Sequence, residues 1–175
     1  MDFKKFIVIP VFIAVLAASF IVVDQLLNSF MPISDKGGFG WVTFQAWAMY
    51  FLAGGTFKGG VRTFIGYVMG IIAAITIIYL FGFFNNSFGF WALPLAVFIV
   101  VIPMCSVERA HSLFDFVPAL FVSSAVFFAF GKMYPNATMT ASAITILTYC
   151  AIGMIYGIVT VNLRVYYENL VAKKA

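Results

Sequence analysis

The sequence predicts an all-α polytopic membrane protein, a bundle of six transmembrane helices forming one domain over residues 1–175. Three observations carry this. The chain is 64% hydrophobic and 9% charged, with a mean hydropathy of +1.08, so a fold in water would leave apolar surface that a domain this size cannot bury. The apolar residues gather into six runs, each close to the roughly 20 residues a helix needs to cross a bilayer. The connections are short and rich in turn formers, as in Met31-Pro32-Ile33-Ser34-Asp35-Lys36-Gly37-Gly38 and Gly131-Lys132-Met133-Tyr134-Pro135-Asn136. In lipid every backbone polar group needs a partner, and runs of this length favour helices over barrel strands.

Each span follows from its own residues. Span one, Phe6 to Asn28, follows Lys4 and Lys5 and is apolar through Val23; that exceeds the core of a usual cleavable signal, so it is expected to remain as the first helix. Span two, Phe39 to Thr56, enters at Trp41 and ends in Gly54-Gly55. Span three, Val61 to Phe84, and span six, Met139 to Asn162, contain the GxxxG pairs Gly66/Gly70 and Gly153/Gly157. These bring backbones close, so all four glycines are expected packing positions, with Gly59 and Ala73 extending the stripe of span three. Span four, Phe88 to Met104, and span five, Leu113 to Phe130, carry Pro94, Pro103 and Pro118. A proline in a first turn is tolerated, whereas one in a helix interior frees a carbonyl. Asn85-Asn86-Ser87 and Asn136-Ala137-Thr138 read as turns.

Charge sets the expected orientation. With a cytoplasmic N-terminus, Lys4, Lys5, Lys58, Arg62, Arg109, Arg164, Lys173 and Lys174 lie inside and only Lys36 and Lys132 outside, the positive-inside asymmetry. Both termini are then cytoplasmic. The net charge of +4 and pI near 9.1 follow from topology, and no nucleic-acid partner is expected. Cys105 and Cys150 have neither a metal spacing nor an oxidising loop and read as apolar packing residues.

Sliding the chain by about 50 residues places Trp41 on Trp91, Ala46 on Ala96, Thr56 on Ser106 and Phe64 on Phe114. This suggests a tandem hairpin repeat, spans two and three overlying spans four and five. Trp41 and Trp91 sit at span entries, where aromatics mark the membrane interface. Trp47 is mid-span and is kept as a pocket or pore residue.

The inner loops hold most of the polar chemistry. Lys58 and Arg62, spaced i, i+4, share a face if helical, and so do Glu108, His111 and Asp115. Lys58 and Arg62 are expected to pair with Glu108 and Asp115, either as a structural clasp or as a vestibule in which His111 titrates near neutrality. Asp24, in the outer part of span one, either faces a cavity or ends in the headgroups. No metal, cofactor or catalytic site is expected.

Trp41, then Met49-Tyr50-Phe51-Leu52-Ala53-Gly54-Gly55-Thr56-Phe57-Lys58-Gly59, then Met104-Cys105 and Phe116-Val117-Pro118-Ala119-Leu120-Phe121 resemble the YcdZ-type family of small bacterial inner-membrane proteins, a domain of unknown function. The resemblance covers about 41–130, and the loop Glu108-Arg109-Ala110-His111 departs from it. It implies a multi-pass inner-membrane location and one compact bundle, and no activity.

The expected function is a channel or facilitator for a small solute, since span interiors show no ion-coupling cluster. The alternative is a non-transporting accessory subunit of a membrane complex. The expected pore or vestibule residues are Trp47, Thr56, Lys58, Arg62, Glu108, His111, Asp115 and Asp24; the expected partners are membrane lipid, a small-molecule solute and further copies of the chain as a homo-oligomer.

Overall fold

A computed structural model describes residues 3–35 and 37–173. Lys36 and Lys174, both in the orientation count, lie outside the described residues, as does the Lys4 side chain. The described chain is helical: α1 (Phe3–Phe6), α2 (Val8–Asn28), α3 (Gly40–Leu52), α4 (Phe57–Phe88), α5 (Ala92–Ser106), α6 (Val117–Met133) and α7 (Met139–Ala172), with 3-10 turns at Gly89–Trp91 and Val107–Arg109. Three stretches are long and apolar enough to cross a membrane: Val8–Asn28, Phe57–Arg109 and Met139–Ala172. The chain is a multi-pass membrane protein.

Turn chemistry moves the expected boundaries. α3 stops at Leu52, short of Thr56, because Gly54 and Gly55 take φ of 94° and 62°, a region open to glycine and closed to most side chains. Thr56 then starts α4, its Oγ1 accepting the Gly59 N–H at 3.0 Å. α4 runs through Asn85-Asn86-Ser87, which are helical and not a turn, and ends at Gly89 with φ 49°. α6 begins at Val117 with Pro118 in its first turn, where the missing N–H has no intrahelical partner to lose. Pro103 lies inside α5. α7 continues past Asn162 to Ala172, its exposed last turns carrying an i, i+4 ion pair, Arg164 to Glu168 at 2.9 Å.

α4 is the hub, packed against α5, α6 and α7, while α3 packs chiefly on α7. The glycine pairs explain both close approaches. A Cβ at Gly66 would meet the Ala119 methyl at 2.6 Å, and one at Gly70 would overlap the Ser123 hydroxyl and the Leu120 carbonyl of α6. A Cβ at Gly153 would meet the Thr43 carbonyl at 2.7 Å, and one at Gly157 the Tyr50 ring at 2.5 Å, both on α3. All four expected packing glycines therefore serve contacts within the chain, and they lend no support to a homo-oligomer. Ala73 leaves the stripe: it is buried with Ala96, Val100 and Met104 of α5.

α2 is peripheral and buries only Ile9, Phe20 and Asp24. Its one large anchor, Phe20, meets Phe44, Tyr149 and Tyr156 edge-on at 5.5–6.5 Å. Trp91 is 67% exposed at the start of α5 beside Phe90, as an interfacial aromatic would be, whereas Trp41 packs on Phe130 at 5.6 Å. The Tyr167 hydroxyl donates to the Lys5 carbonyl at 2.7 Å, so both ends of the described chain lie at one end of the bundle. The helix pairing does not follow the tandem hairpin: α3 packs chiefly on α7, but its would-be equivalent α5 packs on α4.

Gly70→Val should destabilise the bundle by about 1–3 kcal/mol, because the added carbons have nowhere to go. Gly131→Ala, with nothing within 4 Å of the new methyl, should be neutral or slightly stabilising. Unfolding of both variants in detergent micelles checks this, and equal stabilities would refute the packing assignment.

Candidate functional site

Polar side chains gather at both ends of the bundle, with a seam of buried hydroxyls between. At one end, Asp24 on the last turns of α2 is 4% exposed. Its Oδ1 accepts the Phe39 N–H at 3.1 Å and its Oδ2 the Gly40 N–H at 3.0 Å. The carboxylate thus caps α3 from a neighbouring helix, satisfying two donors that the helix leaves free and meeting its positive end. Gly38, with φ 67°, lies against this carboxylate so closely that a Cβ would collide with it. Of the two sequence readings of Asp24, a buried group or a solvated helix end, the burial and the two backbone partners match the first.

Asp35 fixes the described residues before α3, 29–35 and 37–39. Its backbone N–H donates to Asn28 Oδ1 at 3.0 Å and its carbonyl accepts from the Asn28 amide. Its Oδ1 accepts the Gly37 N–H at 2.8 Å, and its Oδ2 accepts the Tyr134 hydroxyl at 2.5 Å, which latches the loop before α3 to the end of α6. The Tyr134 hydroxyl, then the Gly37 N–H, hold the Asp35 carboxyl below its ordinary 3.8. Burial first, then the Asp35 hydrogen bond and charge, push the Tyr134 hydroxyl up to about 12.

At the opposite end, Arg62 of α4 meets Asp115, just before α6, at 2.6 Å, and its guanidinium lies 5.8 Å from the Phe116 ring centroid. The contact is ionic and lies off hydrogen-bond geometry: Asp115 Oδ1 and Arg62 Nε are both buried atoms with no hydrogen-bond partner. This is the one expected pairing that forms. Lys58 is exposed and makes no ion pair among the described residues, and Thr56 is a helix cap. Glu108, His111 and Asp115 share no helical face, because a 3-10 turn ends at Arg109 and residues 110–116 are irregular. Glu108 is exposed, and His111 Nδ1 accepts the Leu113 N–H at 3.1 Å, stabilising a turn.

Between the ends, hydroxyls close on helix carbonyls. Thr43 of α3 donates to the Tyr149 carbonyl of α7 at 2.9 Å. Ser123 and Ser124 of α6 donate to Gly66 and Gly70 of α4 at 3.3 and 2.8 Å. Among the described residues four buried donors lack partners: Arg62 Nε at the end of the bundle and, in the interior, the hydroxyls of Tyr67 and Tyr149 and the Trp47 indole N–H. Trp47 is packed among Phe44, Phe51 and Tyr156. Tyr67 and Tyr149 lie in one buried cluster with Cys150, their hydroxyls without hydrogen-bond partners. The two tyrosines, Asp35 and Tyr134 were not among the expected site residues. Every tyrosine in an apolar run looks like packing until its hydroxyl is seen to have no partner.

Residues 10–163 match the family described as a protein of unknown function (DUF1097). The match covers most of the chain, which therefore belongs to that family. No curated protein and no solved structure matches.

Asp24→Ala should cost about 1–3 kcal/mol by leaving the Phe39 and Gly40 N–H groups buried and unpaired, with Asp24→Asn intermediate, measured by unfolding in mixed micelles. The Asp35–Tyr134 contact should have two pH limbs. Because Asp35 titrates lower when folded, its contribution is present above its ordinary 3.8 and lost as pH falls through the lowered value. Because Tyr134 titrates higher, its contribution is present below its ordinary 10.0 and lost as pH rises through about 12. The melting temperatures of wild type and Tyr134→Phe should differ most between these limits and converge outside them. A constant difference would reject the clasp.

Proposed function

We propose that this DUF1097 protein is a facilitator carrying a small, uncharged, hydrogen-bonding solute across the bacterial inner membrane. The observation that carries this reading is the trio of buried donors without partners, Tyr67, Tyr149 and Trp47. Each unpaired group disfavours the folded state by about 1–3 kcal/mol, and phenylalanine at either tyrosine position would avoid that. Donors retained under this penalty, in a protein where most buried serine and threonine hydroxyls close on carbonyls, suit a solute that presents acceptor oxygens. Asp24 is the buried acid, but both its oxygens are engaged by backbone N–H groups. That favours passive facilitation over an ion-driven pump. Six crossings with cytoplasmic termini are supported by the Lys and Arg asymmetry and by the contact between the two ends. The resemblance to YcdZ-type proteins supports the bacterial inner membrane.

The test is stopped-flow light scattering on proteoliposomes challenged with small neutral solutes, amides and polyols among them. Re-swelling should be faster than in empty vesicles for at least one solute. Tyr67→Phe should slow it about fivefold, the equivalent of one hydrogen bond near 1 kcal/mol, while leaving the fold as stable or more so. Re-swelling at the empty-vesicle rate for every solute would defeat the proposal and favour a non-transporting accessory subunit, to be sought by co-purification.

A further inference from the structure

We infer that the chain is built from two three-helix units of opposite orientation, α2–α4 and α5–α7, and that it works by alternating access, its two end latches opening in turn around a solute held where α4 meets α7. This rests on the facilitator reading for the solute, and on the six-crossing topology proposed above, with the helix contacts, for the architecture.

The start of α4 recurs in α7. Thr56, Thr63 and Tyr67 return at identical spacing as Thr138, Thr145 and Tyr149, and each pair plays one role. Thr56 and Thr138 cap their helices, accepting the N–H three residues on at 3.0 and 3.1 Å. Thr63 and Thr145 donate to the carbonyl four residues back at 3.0 and 2.9 Å. Tyr67 and Tyr149 are fully buried with hydroxyls lacking partners.

The short helices correspond as well. Val42, Thr43, Trp47 and Tyr50 of α3 return at identical spacing as Val122, Ser123, Phe127 and Phe130 of α6. Thr43 donates across to a carbonyl of α7, and Ser123 donates across to a carbonyl of α4. The glycine contacts obey the same exchange, Gly153 and Gly157 of α7 against α3, Gly66 and Gly70 of α4 against α6. Pro10 and Pro94 mark the first turns of α2 and α5.

An odd number of crossings per unit makes the second unit enter from the opposite side, so the relating two-fold axis lies in the membrane plane. That axis must pass where an element meets its own counterpart. α4 packs against α7, and Tyr67 shares one buried cluster with Tyr149 and Cys150. The latches also correspond. Asp35 holds the loop before α3 to Tyr134 at one end, and Asp115 holds the loop before α6 to Arg62 at the other. Both contacts are formed here. A two-fold that exchanges the ends makes the opening of one the counterpart of opening the other.

Cys150 is a native reporter at the axis. In full-length Cys105→Ala protein in sealed vesicles, a membrane-impermeant cationic methanethiosulfonate applied from either side reads its accessibility. Asp115→Asn should raise labelling from the Arg62 end about two- to fivefold, the shift expected from losing a half-exposed ion pair, and lower it from the other end. Tyr134→Phe should do the reverse. If Asp115→Asn does not fold, Arg62→Gln breaks the same latch and is read the same way. Both latch variants raising labelling from the same end, or from both ends together, would mean independent gates and overturn alternation; so would no change in either. Reciprocal labelling without flux for any solute would keep the architecture and remove the solute assignment, whereas flux with labelling from both ends would keep the facilitator and remove alternation.

Discussion

The constraint on which the rest depends is that backbone N–H groups inside a membrane must find partners within the protein. α3 has only 13 residues, about 20 Å of helix at 1.5 Å per residue. It begins at the level of Asp24, one turn before α2 ends, with Phe39 fully buried. Its first donors therefore open into the protein, and the Asp24 carboxylate receives two of them. This one contact decides where α3 starts and requires a glycine at position 38. α2, otherwise poorly packed, is held to the bundle largely through Phe20 and this carboxylate.

The same accounting separates structure from candidate chemistry in the interior. Thr43, Thr63, Ser123, Ser124, Thr145 and Thr160 are closed on carbonyls, and the glycine stripe of α4 brings the Gly66 and Gly70 carbonyls within reach of Ser123 and Ser124. Close backbone approach and hydroxyl satisfaction are thus one design: without Gly70, the Ser124 hydroxyl would not sit 2.8 Å from its carbonyl. Against that background, open donors on Tyr67, Tyr149 and Trp47 stand out. They are fixed by close packing, so a solute reaching them would meet donors already oriented, with little further ordering to lose on binding.

Much of the fold was legible because bilayer thickness writes itself into hydropathy. Three stretches long and apolar enough to cross a membrane overlap the expected apolar runs, and the GxxxG positions were legible because small residues at that spacing have few other uses in an apolar run. The misplaced boundaries come from local geometry that hydropathy does not see: two left-handed glycines end α3 early, and Pro118 starts α6 late. Of the expected charged cluster, Arg62 and Asp115 were legible as opposite charges on adjoining inner loops. Glu108 and His111 were not, since a shared face presumed a helix that a 3-10 turn interrupts. Asp24 with Gly40, and Asp35 with Tyr134, were out of reach, because their partners lie far along the chain and one partner is backbone.

The two latches differ in kind, and the difference bears on how the bundle opens. Arg62 and Asp115 form a half-exposed ion pair, weak in water and screened by salt. Asp35 and Tyr134 form a charge-assisted hydrogen bond, short and directional, backed by the Asn28 and Gly37 contacts. The first can separate by rotation of one long side chain, with Phe116 remaining as a place for the guanidinium to rest. The second requires the whole 29–39 loop to shift, and that loop is tied through Gly38 to the Asp24 cap of α3. Opening at the Asp35 end is therefore coupled to the position of α3 against α7, and through Thr43 to the carbonyl of Tyr149. Opening at the Arg62 end need move only the segment before α6. On the alternating-access proposal, the softer Arg62 end would open the more readily of the two, and a solute would enter there first.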